Sequence, residues 1–124
     1  MIRRVRVLIA DDRPTTRQGL RALLSLLPEV EVIGEAADGR ESVALVAECR
    51  PDVVLMDMQM PVMDGVEAAR RIKEQWPMVR VIALTMHPHY RAEALAAGVD
   101  LFLLKEGDPE ALLDAILAKA DGPF

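Results

Sequence analysis

Cysteine is almost absent from this chain: Cys49 is the only one in 124 residues. An internal disulfide is therefore excluded, and a reducing, cytoplasmic home is expected. Cys49 itself reads as a small helix residue. No apolar run approaches the ~20 residues needed to cross a bilayer, so no membrane role is expected. The opening Met1-Ile2-Arg3-Arg4 passes directly into strand-like sequence with no h-region, unlike a signal peptide. Basic residues are outnumbered, with 15 Lys and Arg against 20 Asp and Glu and a net charge of −5. Lysines are few and arginines scattered. Direct nucleic-acid binding needs clustered basic side chains and is not expected of this chain. Aromatics make up only 3%, too few to offer a flavin ring much support.

Apolar residues are plentiful instead, at 52%, which excludes disorder. The length suits one domain with a single core, spanning 1–124. Short apolar runs alternate with helix-like segments from end to end, the pattern of βα units around a parallel sheet. Leu20, Leu23, Leu24 and Leu27 recur at helical spacing and predict a first helix from about Pro14 to Leu27, stopped by Pro28. Residues 30–36 alternate charged and apolar side chains like a half-exposed edge strand. Asp38-Gly39-Arg40-Glu41 and Asp64-Gly65-Val66-Glu67 carry the spacing of capping boxes and open the second and third helices. Pro77 closes the third helix, and Gly98 ends a short fourth one. Asp108-Pro109-Glu110 starts the last. Asp121-Gly122-Pro123 breaks that helix, so residues 121–124 read as a linker or tail.

Four of the apolar runs end in the residues a phosphoryl site needs. Residues 5–10 run into Asp11-Asp12, 53–56 into Asp57, 81–84 into Thr85 and 101–104 into Lys105. Open α/β sheets bind ligands beyond the carboxyl ends of their strands, so parallel pairing would gather these groups on one rim. Asp64 already serves as a cap, which leaves Asp57 free to attack phosphorus and form an acyl phosphate. Asp11, Asp12 and Asp57 together would repel, and a bound cation relieves that repulsion. Mg²⁺ suits oxygen ligands, with the Gln59 backbone carbonyl as a neutral addition and Mn²⁺ as the alternative ion. Histidine and cysteine are too few near the rim for zinc. Thr85 can cap the fourth helix or donate to a phosphoryl oxygen. Lys105 suits a point charge on phosphate. His87 and His89 read as surface residues at a helix start.

Almost the whole chain resembles a receiver domain of bacterial two-component response regulators. The resemblance lies in Asp11-Asp12, in Asp57 with Met60-Pro61 and Asp64-Gly65, in Thr85, in Ala97-Gly98, and in Phe102 with Lys105. It implies a flavodoxin-like (βα)5 doubly wound sheet in the order 2-1-3-4-5. It implies that Asp57 takes a phosphoryl group from a sensor histidine kinase, with Asp11, Asp12, Asp57 and the Gln59 carbonyl holding Mg²⁺. It further implies that Thr85 and Lys105 bind the phosphoryl group and that Thr85 and Phe102 form the switch. Residues 13–20 and 103–106 look most like the NarL/FixJ branch, whose members carry a LuxR-type DNA-binding domain after the receiver. That reading makes the chain a receiver cut near its linker or a single-domain regulator.

Two positions depart from the family pattern. Glu106 stands where many receivers have a proline in cis, and a cis bond is not expected there. Met86 is bulky at a position often small, and is expected to shield an acyl phosphate from water. Gln59 and His87 are the other expected tuners of hydrolysis. Around the last helix, Leu112, Leu113, Ile116 and Leu117 sweep an arc of roughly 140° at about 100° per residue. Part of that arc is expected to meet a partner, such as a second copy on phosphorylation, unless the core takes all of it.

Competing readings fit less well. A flavodoxin's first loop should cradle an FMN phosphate, which Asp11-Asp12 would repel. A haloacid-dehalogenase-type phosphatase needs a second Asp two residues after the nucleophile, where Gln59 stands. A pseudo-receiver acting by protein contacts alone would not need the intact Asp, Thr and Lys set.

Overall fold

The computed structural model describes residues 3–121. In chain order the elements are β1 (Val5–Ala10), α1 (Pro14–Leu24), β2 (Val30–Ala36), α2 (Gly39–Cys49), β3 (Val53–Met56) and α3 (Gly65–Gln75). They continue with β4 (Arg80–Thr85), a 3-10 turn at Pro88–Tyr90, α4 (Arg91–Ala96), β5 (Leu101–Leu104) and α5 (Pro109–Asp121). The strands form one parallel sheet in the order β2-β1-β3-β4-β5, as expected. The chain reverses its winding between β1 and β3, the switch point where such sheets open a crevice.

Each central strand is buried on both sides because its alternate residues feed two cores. Val5, Val7, Ile9, Val53, Leu55, Ile82 and Leu84 face Leu24 of α1 and Leu112 and Ile116 of α5. Leu8, Ala10, Val54, Met56, Val81 and Ala83 face Val46, Ala68, Ala69, Ile72 and Ala94 of α2, α3 and α4. This period-2 division is what a continuously apolar strand needs when helices cover both faces. Edge strand β2 carries a register shift opposite Val7 and Leu8, next to Gly34.

Helix ends follow the sequence signals with one exception. The Asp38 and Asp64 carboxylates accept the backbone N–H groups of Glu41 and Glu67 at 2.8 and 2.9 Å. The return arms of the expected capping boxes differ. Glu41 accepts from Ala37 N, one residue before the cap, and Glu67 is taken by Arg70 and Arg71. The exception is α1, which ends at Leu24 rather than Leu27. Ser25 turns its hydroxyl back onto the Ala22 carbonyl at 2.7 Å, and Leu26 and Leu27 bond to Leu23 and Leu24 in tighter turns. Leu27 still packs on the core, so periodicity alone ran past the end of the helix.

The wide arc on α5 is used by the core. Leu112 and Ile116 are buried, and Leu113 and Leu117 pack against the same cluster. The arc therefore offers no separate case for a partner. The break and tail expected from Asp121 begin no earlier than Gly122, because Asp121 is still helical in α5, and the rest of that expectation lies outside the described residues. No cis peptide bond occurs among the described residues, in keeping with Glu106.

Val62 has φ of 70° in the loop after β3 and is 74% exposed. A β-branched residue in this region is strained by about 1–2 kcal/mol. Asparagine tolerates the same backbone better and sacrifices little packing here. Val62→Asn should therefore raise the urea midpoint, by about 0.5–1 kcal/mol of stability. A lower midpoint would show that Val62 holds the loop through contacts that outweigh its strain.

Candidate functional site

The rim at the carboxyl ends of the strands is built by continuing the sheet's own hydrogen bonds one residue further. Asp11 N donates to Ala36 O at 3.0 Å, Asp57 N to Ala10 O at 2.9 Å and Lys105 N to Thr85 O at 2.9 Å. The ladder thus pins the main chains of Asp11, Asp57 and Lys105 while their side chains leave the sheet. Two glycines hold the loop that carries Asp57. Gly39 N donates to Met63 O and Gly65 N to Met58 O, each at 2.9 Å. A Cβ on Gly65 would lie 1.9 Å from the Asp57 carbonyl oxygen, and one on Gly39 would lie 2.2 Å from that of Met63. The starts of α2 and α3 therefore touch this loop more closely than any other residue type allows.

The three expected carboxylates converge. Asp11, Asp12 and Asp57 each offer an oxygen, and these lie within 4.8 Å of one another. Asp11 and Asp57 are buried and Asp12 is exposed. Lys105 Nζ sits between the buried pair, 2.6 Å from Asp11 Oδ2 and 3.3 Å from Asp57 Oδ2. Three carboxylates beside one ammonium leave an excess of two negative charges, and every candidate donor is an oxygen. A hard divalent cation fits that set.

Asp12, Arg13, Asp57, Gln59, Met86, His87 and Lys105 line a recess of about 110 Å³. Gln59 N approaches Asp57 Oδ1 at 3.5 Å, long for a hydrogen bond. Met86 is 43% exposed at the edge of the recess. His87 reaches the recess, whereas His89 is exposed and stacks its ring 4.5 Å from Tyr90. Thr85 is fully buried at the end of β4 and does not line the recess. Its Oγ1 accepts His87 N at 3.2 Å, and no side chain caps the turn at Pro88. Phe102 is already 8% exposed, with the Arg91 guanidinium 5.9 Å from its ring centre. A switch that turned this aromatic further inward would have little left to bury.

Asp57 titrates above its ordinary value of 3.8. Burial raises it first, Lys105 opposes, and the Asp11 charge raises it further. The sequence reading put mutual repulsion foremost, but Lys105 lies among the acids and desolvation dominates. The folded state holds this proton to higher pH than the unfolded chain does. The associated stability is complete below the unfolded value and is lost as pH rises through the folded one. At neutral pH without metal, Asp57→Asn should therefore melt above wild type. The gap should shrink as pH falls toward 4 and also when Mg²⁺ binds the folded state. Thermal melts of both proteins with EDTA and with Mg²⁺ decide this, and a lower-melting variant under EDTA would refute the shared pocket.

Arg17 was overlooked by the site reading, as were the close contacts of Gly39 and Gly65. Arg17 NH1 donates to the Asp11 carbonyl at 2.6 Å and Nε to Glu35 Oε1 at 3.0 Å. Arg21 takes the other Glu35 oxygen at 2.7 Å. The Arg21 hydrogen bond leads in holding the Glu35 carboxyl below its usual range, with Arg17 adding to it.

Comparison with known proteins agrees with this geometry. Residues 7–117 match the family described as the response regulator receiver domain. An uncharacterized transcriptional regulatory protein, YxjL of Bacillus subtilis, is 41% identical over 121 residues, covering 96% of this chain and 56% of that protein. The transcriptional regulatory protein DegU of Brevibacillus brevis is 38% identical, covering 96% and 51%. The chain thus spans about half the length of these curated relatives. The solved receiver domain of the NarL response regulator from Mycobacterium tuberculosis superposes with a TM-score of 0.88 at 36% identity, covering 98% of this chain and 99% of that one.

Proposed function

The chain belongs to the response regulator receiver domain family, and from that premise we propose that it is a signalling switch thrown by phosphorylation of Asp57. The donor is the phosphohistidine of a sensor kinase. An Asp57 carboxylate oxygen attacks phosphorus, the P–N bond breaks as the P–O bond forms, and the histidine nitrogen leaves and takes up a proton. Asp11, Asp12, Asp57 and the Gln59 carbonyl are the residues that would hold Mg²⁺ or Mn²⁺. When bound, the cation neutralises charge that builds on the phosphoryl oxygens.

The protein's own residues do the rest. Lys105 is pinned by the sheet, so its ammonium can pass from Asp57 to a phosphoryl oxygen without a main-chain shift. Thr85 rotates its hydroxyl from the His87 N–H toward the new group, which biases the fourth helix and Phe102. Met86 and His87 limit the approach of water to the acyl phosphate. The observation that carries this reading is the position of Asp57. It is buried, free of capping duty, clustered with two carboxylates and 3.3 Å from a lysine.

The relatives named as transcriptional regulators are about twice as long, so the output proposed is transcription through a DNA-binding partner domain. Pairing with a second phosphorylated copy is the proposed route. Incubation with acetyl phosphate and Mg²⁺ should add one acid-stable, base-labile phosphate, seen by intact-mass spectrometry. EDTA should prevent it, and labelling unaffected by EDTA would remove the cation from the proposal.

A further inference from the structure

We propose that Arg17 is a positioning residue for the cation site, acting with Glu35 as a strut that fixes the Asp11–Asp12 peptide. The inference rests on the reading of the three acids as a cation site. The Asp11 carbonyl belongs to the planar unit joining Asp11 to Asp12, so anchoring that oxygen restrains both residues at once. Every polar group of Asp11 then has a partner. Its N–H goes to Ala36 O at 3.0 Å, its carbonyl to Arg17 at 2.6 Å, Oδ1 to Arg13 N at 2.9 Å and Oδ2 to Lys105 at 2.6 Å. Asp12 is exposed and its side chain has no such set, so its aim depends on the peptide before it.

The strut is built to last. Arg17 projects from one turn into α1, its own N–H donating to the Arg13 carbonyl at 3.1 Å. Its side chain is 18% exposed. A planar guanidinium can give Nε to one acceptor and a terminal nitrogen to another in fixed geometry, which an ammonium cannot reproduce. Glu35 on edge strand β2 pairs with Arg17 and partly offsets its charge beside the acids. Arg21, one turn further along α1, secures Glu35 from outside at 2.7 Å.

Groups that orient a ligand residue typically change metal affinity 10–100-fold when removed. Titration calorimetry with MgCl₂ on the 124-residue chain reads the effect directly. Arg17→Gln should weaken Mg²⁺ binding on the order of tenfold. Glu35→Gln should weaken it less, and the double variant should bind no worse than Arg17→Gln alone, because the pair acts as one unit. Arg17→Lys keeps the charge without the fork. It should also bind Mg²⁺ more weakly than wild type, and it carries the test should Arg17→Gln fail to fold.

Asp100→Asn is the structural control, since it removes the charge that pairs with Lys73 at the opposite end of the sheet from the acids. It should lower the melting temperature and leave the Mg²⁺ affinity unchanged. Mg²⁺ affinity within twofold of wild type in both Arg17 variants overturns the strut alone. A wild-type chain with no saturable Mg²⁺ binding overturns the cation site together with it.

Discussion

Gly65→Ala should lower stability by about 3 kcal/mol and, with it, slow phosphorylation of Asp57. The new Cβ would stand 1.9 Å from the Asp57 carbonyl oxygen and 2.8 Å from the Met58 Cα. Both are backbone atoms, so no side-chain rotation relieves the overlap. The chain must separate α3 from the end of β3, which also stretches the Gly65 N to Met58 O bond of 2.9 Å. Overpacking of this kind costs about 1–3 kcal/mol, and a lost buried hydrogen bond adds about 1. A drop in melting temperature on the order of 10 °C follows for a domain of this size. Displacing a nucleophile by an ångström costs on the order of a hundredfold in rate, so the phosphorylation of Asp57 should suffer even where the variant stays folded. Gly19→Ala is the contrast. Nothing lies within 4 Å of its Cβ position, in the middle of α1, so alanine should stabilise by about 0.5–1 kcal/mol. Denaturant melts of the two variants should move in opposite directions, and equal shifts would refute the close approach at Gly65.

The arrangement of the rim was legible because its chemistry falls at the ends of apolar runs. The same pattern that makes β1, β3, β4 and β5 buried strands also places Asp11, Asp57, Thr85 and Lys105 at their carboxyl ends. Caps at Asp38 and Asp64 were legible because each capping carboxylate and the N–H that donates to it are only three residues apart. What escaped notice depends on pairs distant in sequence. Lys105 meets Asp57 across 48 residues, so its ion pairs with both buried acids, and burial rather than repulsion as the first cause of the raised Asp57 pKa, needed coordinates. Arg17 meets Glu35 across 18 residues and a main-chain oxygen at Asp11, neither of which leaves a pattern in spacing. The end of α1 was misplaced because Leu27 continues the apolar rhythm. The Ser25 hydroxyl, which competes for a helix carbonyl, decides that end. Phe102, and the switch role of Thr85, were named from resemblance. The structure holds both inside, with Thr85 bound to the His87 N–H.

The identity of the phosphorylated residue is the central matter, and its expected effect is all or none. Asp57 carries the only buried carboxylate of the cluster that faces the recess, and its Oδ2 lies 3.3 Å from Lys105. Asp11 is held by four hydrogen-bonded or paired contacts, and Asp12 lies exposed at the mouth. A nucleophile needs a free lone pair, a cation beside it and a positive group for the oxygens it receives. Alanine at position 57 removes the nucleophile and leaves the other acids and Lys105 in place. Wild type and Asp57→Ala should be incubated side by side with acetyl phosphate and Mg²⁺, then examined by mass spectrometry of the intact chain and of its peptides. Wild type should gain one phosphate on the peptide containing Asp57, and Asp57→Ala should gain none. The same phosphate on Asp57→Ala, on Asp11, Asp12 or any other residue, would contradict Asp57 as the acceptor and with it the proposed switch.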